Sequence, residues 1–447
     1  MNIKPVSLVF EGKEFTVEST LENFDDLRYD LSVRGELDLG KIYRVFARRD
    51  MDVNGFLGIH ASFKGTQSDA IQGNYDQIRG SGTMELKDLT LISELFPKPF
   101  LLQEGRFRFS REKMWFTNFK AVYGHTDLQM DGFADNVINY WLGKNTILRA
   151  GFDLKSRLID IDEFSFYGEN ASPSGTVSRA AGTGTAIRPD SSTGAAGVVV
   201  LPADLDLTIR ADLEQIRYGG IRLNHFQGGL NLRKSELELT ETGFEMIGCQ
   251  VSMNGKYNSI SPVRAAFDYH LQAKDFDVHR AWEEIRLFHD LAQSAQYAYG
   301  VVSIDYTLTG KLNEQLAPVY PSLKGGGTLT VKNVKCKGWK LFNTVGSEAG
   351  KSEMKDPDLS KIDIKSTIKN NLITIERVKF KTGPLRIRLE GQTSFDNKVN
   401  FKMRIGLPPL GIIGIPVRIT GDMDNPKIKL GKQDSDPLQE KEEEQIN

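Results

Sequence analysis

Apolar residues in this chain recur at every second position over short stretches, with charged or polar residues between them. Phe107 and Phe109, Met114 and Phe116, and Leu128 and Met130 are spaced this way. Side chains alternate across a β-strand, so this pattern predicts half-buried strands with one apolar and one wet face. Short polar breaks at 110–113, 233–235 and 369–371 read as hairpin turns. Each patterned block is therefore an up-down-up meander.

The blocks repeat. Segments 105–132, 228–255 and 364–391 align without gaps and close on Gly132, Gly255 and Gly391. Phe107 matches Leu230; Phe109, Leu232 and Ile368 share a column, as do Met114, Leu237 and Ile373. Phe116, Leu239 and Ile375 follow, then Leu128, Val251 and Ile387, then Met130, Met253 and Leu389. A second register aligns 58–88 with 303–333, pairing Gly65 with Gly310 and Gly82 with Gly327. An aromatic-Asp strand precedes each copy, at 29–39 and 267–278, and a similar strand occupies 152–164. A short helix is expected near 41–49. A longer one is expected from 278, where Val278, Trp282, Ile285, Phe288, Ala292 and Ala295 form one stripe. Asp277 is its expected N-cap and Gly300 its stop.

These signals divide the chain into a partial first repeat (1–50) ending in a short helix and a β-repeat (51–166). A disordered, Gly/Ser/Thr/Ala-rich loop (167–202) follows, then a repeat ending in a helix (203–300). A C-terminal β-repeat (301–431) and a disordered acidic tail containing EKEEE (432–447) complete it. The chain opens partway into one unit, as a fragment would. At 447 residues it is too long for a single compact core. Hydrophobic residues make up only 39%, which fits an elongated form with much surface per residue.

With 57 basic and 59 acidic residues the net charge is −2, so no long-range field steers the chain to nucleic acid or an anionic membrane. No apolar window reaches the ~20 residues that cross a bilayer, and the N-terminus does not read as a signal peptide. The run 406–417, GLPPLGIIGIPV, is expected to be a loop packed against the last strands, the alternative being a membrane contact or a groove end. Cys249 and Cys336 stand outside any zinc spacing and read as free thiols, with a disulfide left open. Catalytic signatures are missing: neither HExxH nor GxSxG occurs, and GSEAGKS at 346–352 is one residue short of a phosphate loop. Gly325 to Gly327 reads as a bend before a strand. Asp30, Asp153 and Asp268 recur with the repeats and so read as strand punctuation. No enzyme, cofactor or metal is expected.

Three runs carry a family resemblance. GGGTLTVKNVKCKGWKLF (325–342), the block ending RLEGQTSFDNKVNFKMRI, and above all PVRITGDMDNPKIKL (416–430) resemble AsmA family proteins, most closely the Bacteroidetes-type forms. The likeness covers most of the chain apart from the low-complexity loop and the tail. It implies a periplasmic body whose full-length parent is anchored in the inner membrane by an N-terminal helix that this chain lacks. It further implies a role in outer-membrane biogenesis and kinship with repeating β-groove proteins that carry phospholipid between membranes.

Alternation alone favours a packed sandwich or barrel core over an open trough, since all three use the same pattern and the first two are the commoner. With the resemblance, the expected fold is mainly β: an elongated, repeat-built antiparallel sheet curved into an open groove, with two short α-helices. The expected function is a lipid-binding or lipid-conduit module for phospholipid or another acyl-chain lipid, working between inner and outer membrane in the parent. Its candidate lipid-facing residues are Phe107, Phe109, Met114, Phe116, Leu128, Met130, Leu230, Leu232, Leu237, Leu239, Val251, Met253, Ile368, Ile373, Ile375, Ile387 and Leu389. At ~0.8 kcal/mol per buried methylene, a two-chain lipid is held firmly yet slides between equivalent apolar surroundings. The alternative is a structural envelope protein whose sheet binds outer-membrane assembly partners without carrying lipid.

Overall fold

The computed structural model describes residues 2–10, 13–23, 25–41, 51–72, 74, 77–93, 98–141, 146–164, 198–285, 288–289 and 292–431. The alternating segments are strands, and the chain forms two compact units. The first comprises Met1–Thr242 with Asn258–Pro262, the second Gly243–Tyr257 with Val263–Asn447.

The first unit carries β1 (Asn2–Phe10), β2 (Lys13–Glu22), β3 (Arg28–Asp38), β4 (Met51–Thr66), β5 (Arg79–Ser93) and β6 (Phe100–Ser110). It continues with β7 (Lys113–Tyr123), β8 (Thr126–Asp135), β9 (Leu148–Ser156), β10 (Ile159–Asp160), β11 (Leu205–Tyr218) and β12 (Ile221–Arg233). From β1 to β9 each strand pairs antiparallel with the next. The register places apolar residues opposite one another from strand to strand. Ile59 faces Met84, Met84 faces Phe107 and Phe107 faces Phe116. The opposite face carries cross-strand ion pairs, including Arg106–Glu85 (3.1 Å) and Arg233–Asp206 (2.6 Å).

One step departs from the expected antiparallel order. β11 runs parallel to β9, and β10 is parallel to β11. Parallel neighbours cannot be joined by a tight hairpin. The chain between them, 157–204, is the long connection such a step requires, and its low-complexity part, 165–197, lies outside the described residues. The antiparallel order resumes with β11 and β12.

The boundary between units passes through β13 (Glu236–Met246) and β14 (Cys249–Ser261). The second unit continues with β15 (Arg264–Asp277), β16 (Ala298–Leu312), β17 (Lys324–Cys336), β18 (Asp358–Lys369) and β19 (Leu372–Thr382). β20 (Leu385–Ser394), β21 (Lys398–Gly406), β22 (Gly414–Asp422) and β23 (Pro426–Leu430) complete it. From β15 onward each strand pairs antiparallel with the next. Among the described residues, no pairing joins the first strand of either unit to its last.

The repeat seen in the sequence is a repeat of strands. Blocks 105–132, 228–255 and 364–391 each supply three consecutive strands, with left-handed backbone in the turns at Arg111, Lys234, Ser235, Asn370 and Asn371. The closing glycines occupy one structural role. A Cβ on Gly132 would meet the Phe152 ring, one on Gly255 the Tyr269 side chain, and one on Gly391 the Phe401 ring. A glycine beneath a cross-strand aromatic lets the ring lean over the backbone, a device that bends a sheet. Gly391 has φ +146°, and its added Cβ would lie 2.3 Å from the Asn400 carbonyl oxygen. Gly391→Val is expected to destabilise the second unit by at least about 2 kcal/mol, read from its urea unfolding midpoint.

Four α-helices are described where the pattern predicts two: α1 (Gln67–Gln72), α2 (Val137–Trp141), α3 (Val278–Glu284) and α4 (Lys340–Glu348). The long helix expected from 278 stops at Glu284. Asp277 caps it, accepting from Arg280 N at 2.9 Å, but Ile285 is extended and a 3₁₀ turn at Gln293–Tyr297 follows. Helical bonds resume beyond this break, His289 N donating to the Ile285 carbonyl (2.8 Å) and Ala292 N to the Phe288 carbonyl (2.8 Å), so the apolar stripe is carried by an interrupted helix. Gly325 to Gly327 is not a bend before a strand but lies inside β17, where Gly325 and Gly327 leave no room for a Cβ beside the Thr307 and Asp305 carbonyls. GSEAGKS begins inside α4 instead of lying wholly in a loop. The short helix expected at 41–49 falls almost entirely outside the described residues, as does the tail from 432. No described helix is long and apolar enough to cross a membrane.

Candidate functional site

The inner face of the second unit is built in rungs, each crossing several strands. One rung runs Ala273, Ile304, Leu329, Ile364. The next runs Leu271, Tyr306, Gly327, Ser366, Ile375, Gly391, Phe401. Small residues dominate the middle of this second rung, and the rings of Tyr306 and Phe401 lean on Gly327 and Gly391. Tall side chains therefore do not fill the space above the centre of the sheet.

Both ends of the strands are closed. At one end α3 buries Val278 and Ala281, and α4 buries Leu341, Phe342 and Val345. Phe342 meets Phe380 edge-on at 6.3 Å, and Trp339 meets Phe342 edge-on at 5.0 Å. At the other end Leu308, Leu323, Ile368 and Phe395 pack together, with Tyr320 stacked on Phe395 at 5.0 Å. Between these ends lies a cavity of about 430 Å³. That volume is in the range of small-molecule sites. Its walls come from β14 to β21, from Met246 at the end of β13, from Met423 after β22 and from the capping segments, and no charged side chain among the described residues lines it. Eight adjacent strands at ~4.8 Å spacing span roughly 34 Å, comparable to the ~30 Å hydrocarbon core of a bilayer.

Titratable groups in the wall register its low polarity. Burial pushes the Cys336 thiol up to about 12, helped by Asp356 and Asp358, and raises Cys249. Burial, with Tyr306 nearby, pushes Tyr269 up to about 12. The Tyr306 hydroxyl has a partner, Ser366 Oγ at 3.0 Å. The Trp339 indole does not: its Nε1–H is buried with no acceptor among the described residues. A buried donor without an acceptor costs about 1–3 kcal/mol, and a bound molecule carrying a carbonyl or ester oxygen would relieve that cost. The trough ends toward the C-terminus, where Met403, Ile405 and Ile419 are fully buried.

Five sequence-derived candidates line this cavity: Val251, Ile368, Ile373, Ile375 and Leu389. Met253 is half-buried on β14, and Ile387 is buried on β20; neither lines it. The other ten candidates belong to the first unit. There Phe107, Phe109 and Leu232 are buried, and Met114, Phe116, Leu128, Met130, Leu230, Leu237 and Leu239 are half-buried; they fall in two groups, on β6 to β8 and on β12 and β13, with β9 and β11 between. The Phe107 ring meets that of Phe116 at 5.2 Å, and Phe116 meets Phe152 of β9 at 5.6 Å. Repeat alignment did not single out Trp339 and Phe342, in the capping segment after β17, or Cys336, at the end of β17, because none of them has a counterpart in the aligned blocks. Both cysteines are free thiols.

The first unit also holds a group with metal-like spacing, His125, Asp160 and Glu163. Its oxygens are already engaged. Glu163 accepts from Lys98 Nζ (2.9 Å), from the backbone N–H groups of His125 (3.0 Å) and Thr126 (3.3 Å), and pairs with His125 Nδ1 (2.9 Å). Burial alone would raise its pKa. The bonds from Lys98 and His125 overcome that and hold it at about 2. The carboxylate is a staple that ties the 3₁₀ turn Ile161–Phe164 to the β7–β8 hairpin.

Neither protein-family models, curated proteins nor solved structures match this chain.

Proposed function

We propose that the second unit binds the acyl chains of a phospholipid, or of another acyl-chain lipid, in its capped trough. The observation that carries this reading is a cavity of about 430 Å³ whose lining includes no charged side chain. An empty apolar cavity forfeits dispersion contacts along its walls, and hydrocarbon restores them. The unpartnered Trp339 N–H gives an ester or carboxyl oxygen a place to bond. Each methylene removed from water adds ~0.8 kcal/mol, so affinity grows with chain length and asks little of the head group. The two thiols in the wall, Cys249 and Cys336, are pushed up by burial and stay protonated, and the role we propose is carriage.

The AsmA resemblance supports placing this activity in the periplasm, in a protein whose parent is anchored in the inner membrane and serves outer-membrane biogenesis. Protein purified without detergent is expected to release phospholipid on organic extraction, near one molecule per chain by mass spectrometry. Protein that is folded and carries no lipid contradicts the proposal and favours the alternative of a structural envelope protein that binds assembly partners.

A further inference from the structure

The chain is almost neutral overall, but its charges are not evenly spread over the outer face of the second unit. Elsewhere opposite charges pair across strands, as in Glu85–Arg106 and Asp206–Arg233. On β19 to β23 the register sets like charges opposite one another: Lys379 with Arg388, Lys381 with Arg386, Arg388 with Arg404, Lys402 with Arg418, and Arg418 with Lys429. Like charges directly opposite on a sheet repel. The acidic residues of this face on these strands are Glu376, Glu390 and Asp422; Glu390 is held by Arg377 at 3.0 Å and stands opposite Lys402, and Asp422 stands opposite Lys398. Among the described residues, Lys379, Lys381, Arg386, Lys402, Arg418 and Lys429 make no ion pair. The arrangement is costly to the protein alone and favourable beside an external anion.

The loop 407–413 projects from the end of the same strands. It was expected to pack on them, and its backbone is indeed pinned. Arg404 donates to the Gly411 carbonyl (3.1 Å) and the Ile412 carbonyl (2.5 Å), and Leu407 N donates to Ile413 O (2.8 Å). Its apolar tips do not pack. Leu410, Ile412 and Ile413 are 60%, 69% and 74% exposed. Arg386, at the head of the basic strip, lies against Gly411. A rigid loop with three large aliphatic tips, beside a basic face, has the two elements that hold a protein on a charged bilayer: apolar insertion and attraction to anionic head groups.

We infer that this edge of the second unit docks on the surface of an anionic lipid bilayer, with Leu410, Ile412 and Ile413 entering the head-group region. Docking uses the outer face and its loop, and does not depend on the trough being filled. The test is sedimentation of the full chain with vesicles of equal parts phosphatidylglycerol and phosphatidylcholine, against vesicles of phosphatidylcholine alone. Acidic residues after Gly431 are present throughout, so any competition from them is included. Wild type is expected to bind the anionic vesicles at least tenfold more tightly, with affinity falling as salt rises. Leu410→Ser with Ile413→Ser, and separately Lys379→Gln with Lys402→Gln and Arg418→Gln, are each expected to weaken that binding tenfold or more. All five positions are surface or half-surface sites, and an unchanged melting temperature confirms folding. A trough variant, Ile364→Asp, is expected to bind vesicles as wild type does. Equal binding to both vesicle types, indifference to either set of substitutions, or loss of binding in Ile364→Asp overturns the inference.

Discussion

Ile364→Asp is expected to leave the second unit folded and its trough without lipid, whereas Ile405→Asp is expected to unfold it. Both residues are isoleucines at inward positions of one sheet. Ile405 is wholly buried, and the aspartate would have neither water nor a cation. Burying an unpaired carboxylate costs several kcal/mol or more, against a total stability of about 5–15 kcal/mol for a typical domain. Ile364 is half-buried on the trough wall, between Leu329 on the neighbouring strand and the open cavity. There the carboxylate keeps part of its hydration, so the structural cost is small, but an acyl chain would have to lie against a charge. Circular dichroism on heating, with lipid extraction and mass spectrometry on the same samples, separates the two effects. Equal unfolding by both substitutions would mean that the trough wall is a closed core.

Loss of the Glu163 staple gives the second large effect, in the first unit. The gap between the ordinary glutamate value of 4.5 and about 2 corresponds to roughly 3 kcal/mol favouring the ionised carboxylate in the fold. The half-exposed Lys98 ammonium is screened by water, so this figure is an upper bound. Because the folded value is depressed, the stabilisation is complete above about 4.5 and is lost as the pH falls toward about 2. Glu163→Gln is therefore expected to be less stable than wild type at pH 7 by up to about 3 kcal/mol. That difference should shrink through the acid range and vanish near pH 2. Urea unfolding across this range measures it, and a difference independent of pH would show that the carboxylate charge is not what holds the turn.

The strands and the repeat were legible because alternation acts locally: each apolar residue at every second position reports the face it occupies. The closing glycines were visible as a column, but their role was not. Gly391 needs Phe401 from the next strand to make sense, and that pairing is set by the register, not by sequence neighbours. The candidate residues split for the same reason. Ile375 and Ile387 look alike in alternation, yet one lines the cavity and the other is buried. The helix from 278 shows the limit of periodicity, since the apolar stripe runs through Ile285, where the backbone turns extended before helical bonds resume at His289 and Ala292. Net charge hid the basic strip on β19 to β23, because a sum over the whole chain discards position.

Trp339 offers the most direct reading of the central claim, because its indole lines the trough. A variant retaining Trp339 as its one tryptophan, with phenylalanine at 115, 141 and 282, would be titrated with phospholipid brominated on its acyl chains. Hydrocarbon in the trough brings the quenching bromines against the indole, so the fluorescence is expected to fall saturably at near one lipid per chain, and Ile364→Asp should abolish the fall. Emission that stays constant through the titration, in a protein shown to be folded, would contradict acyl-chain binding at this site.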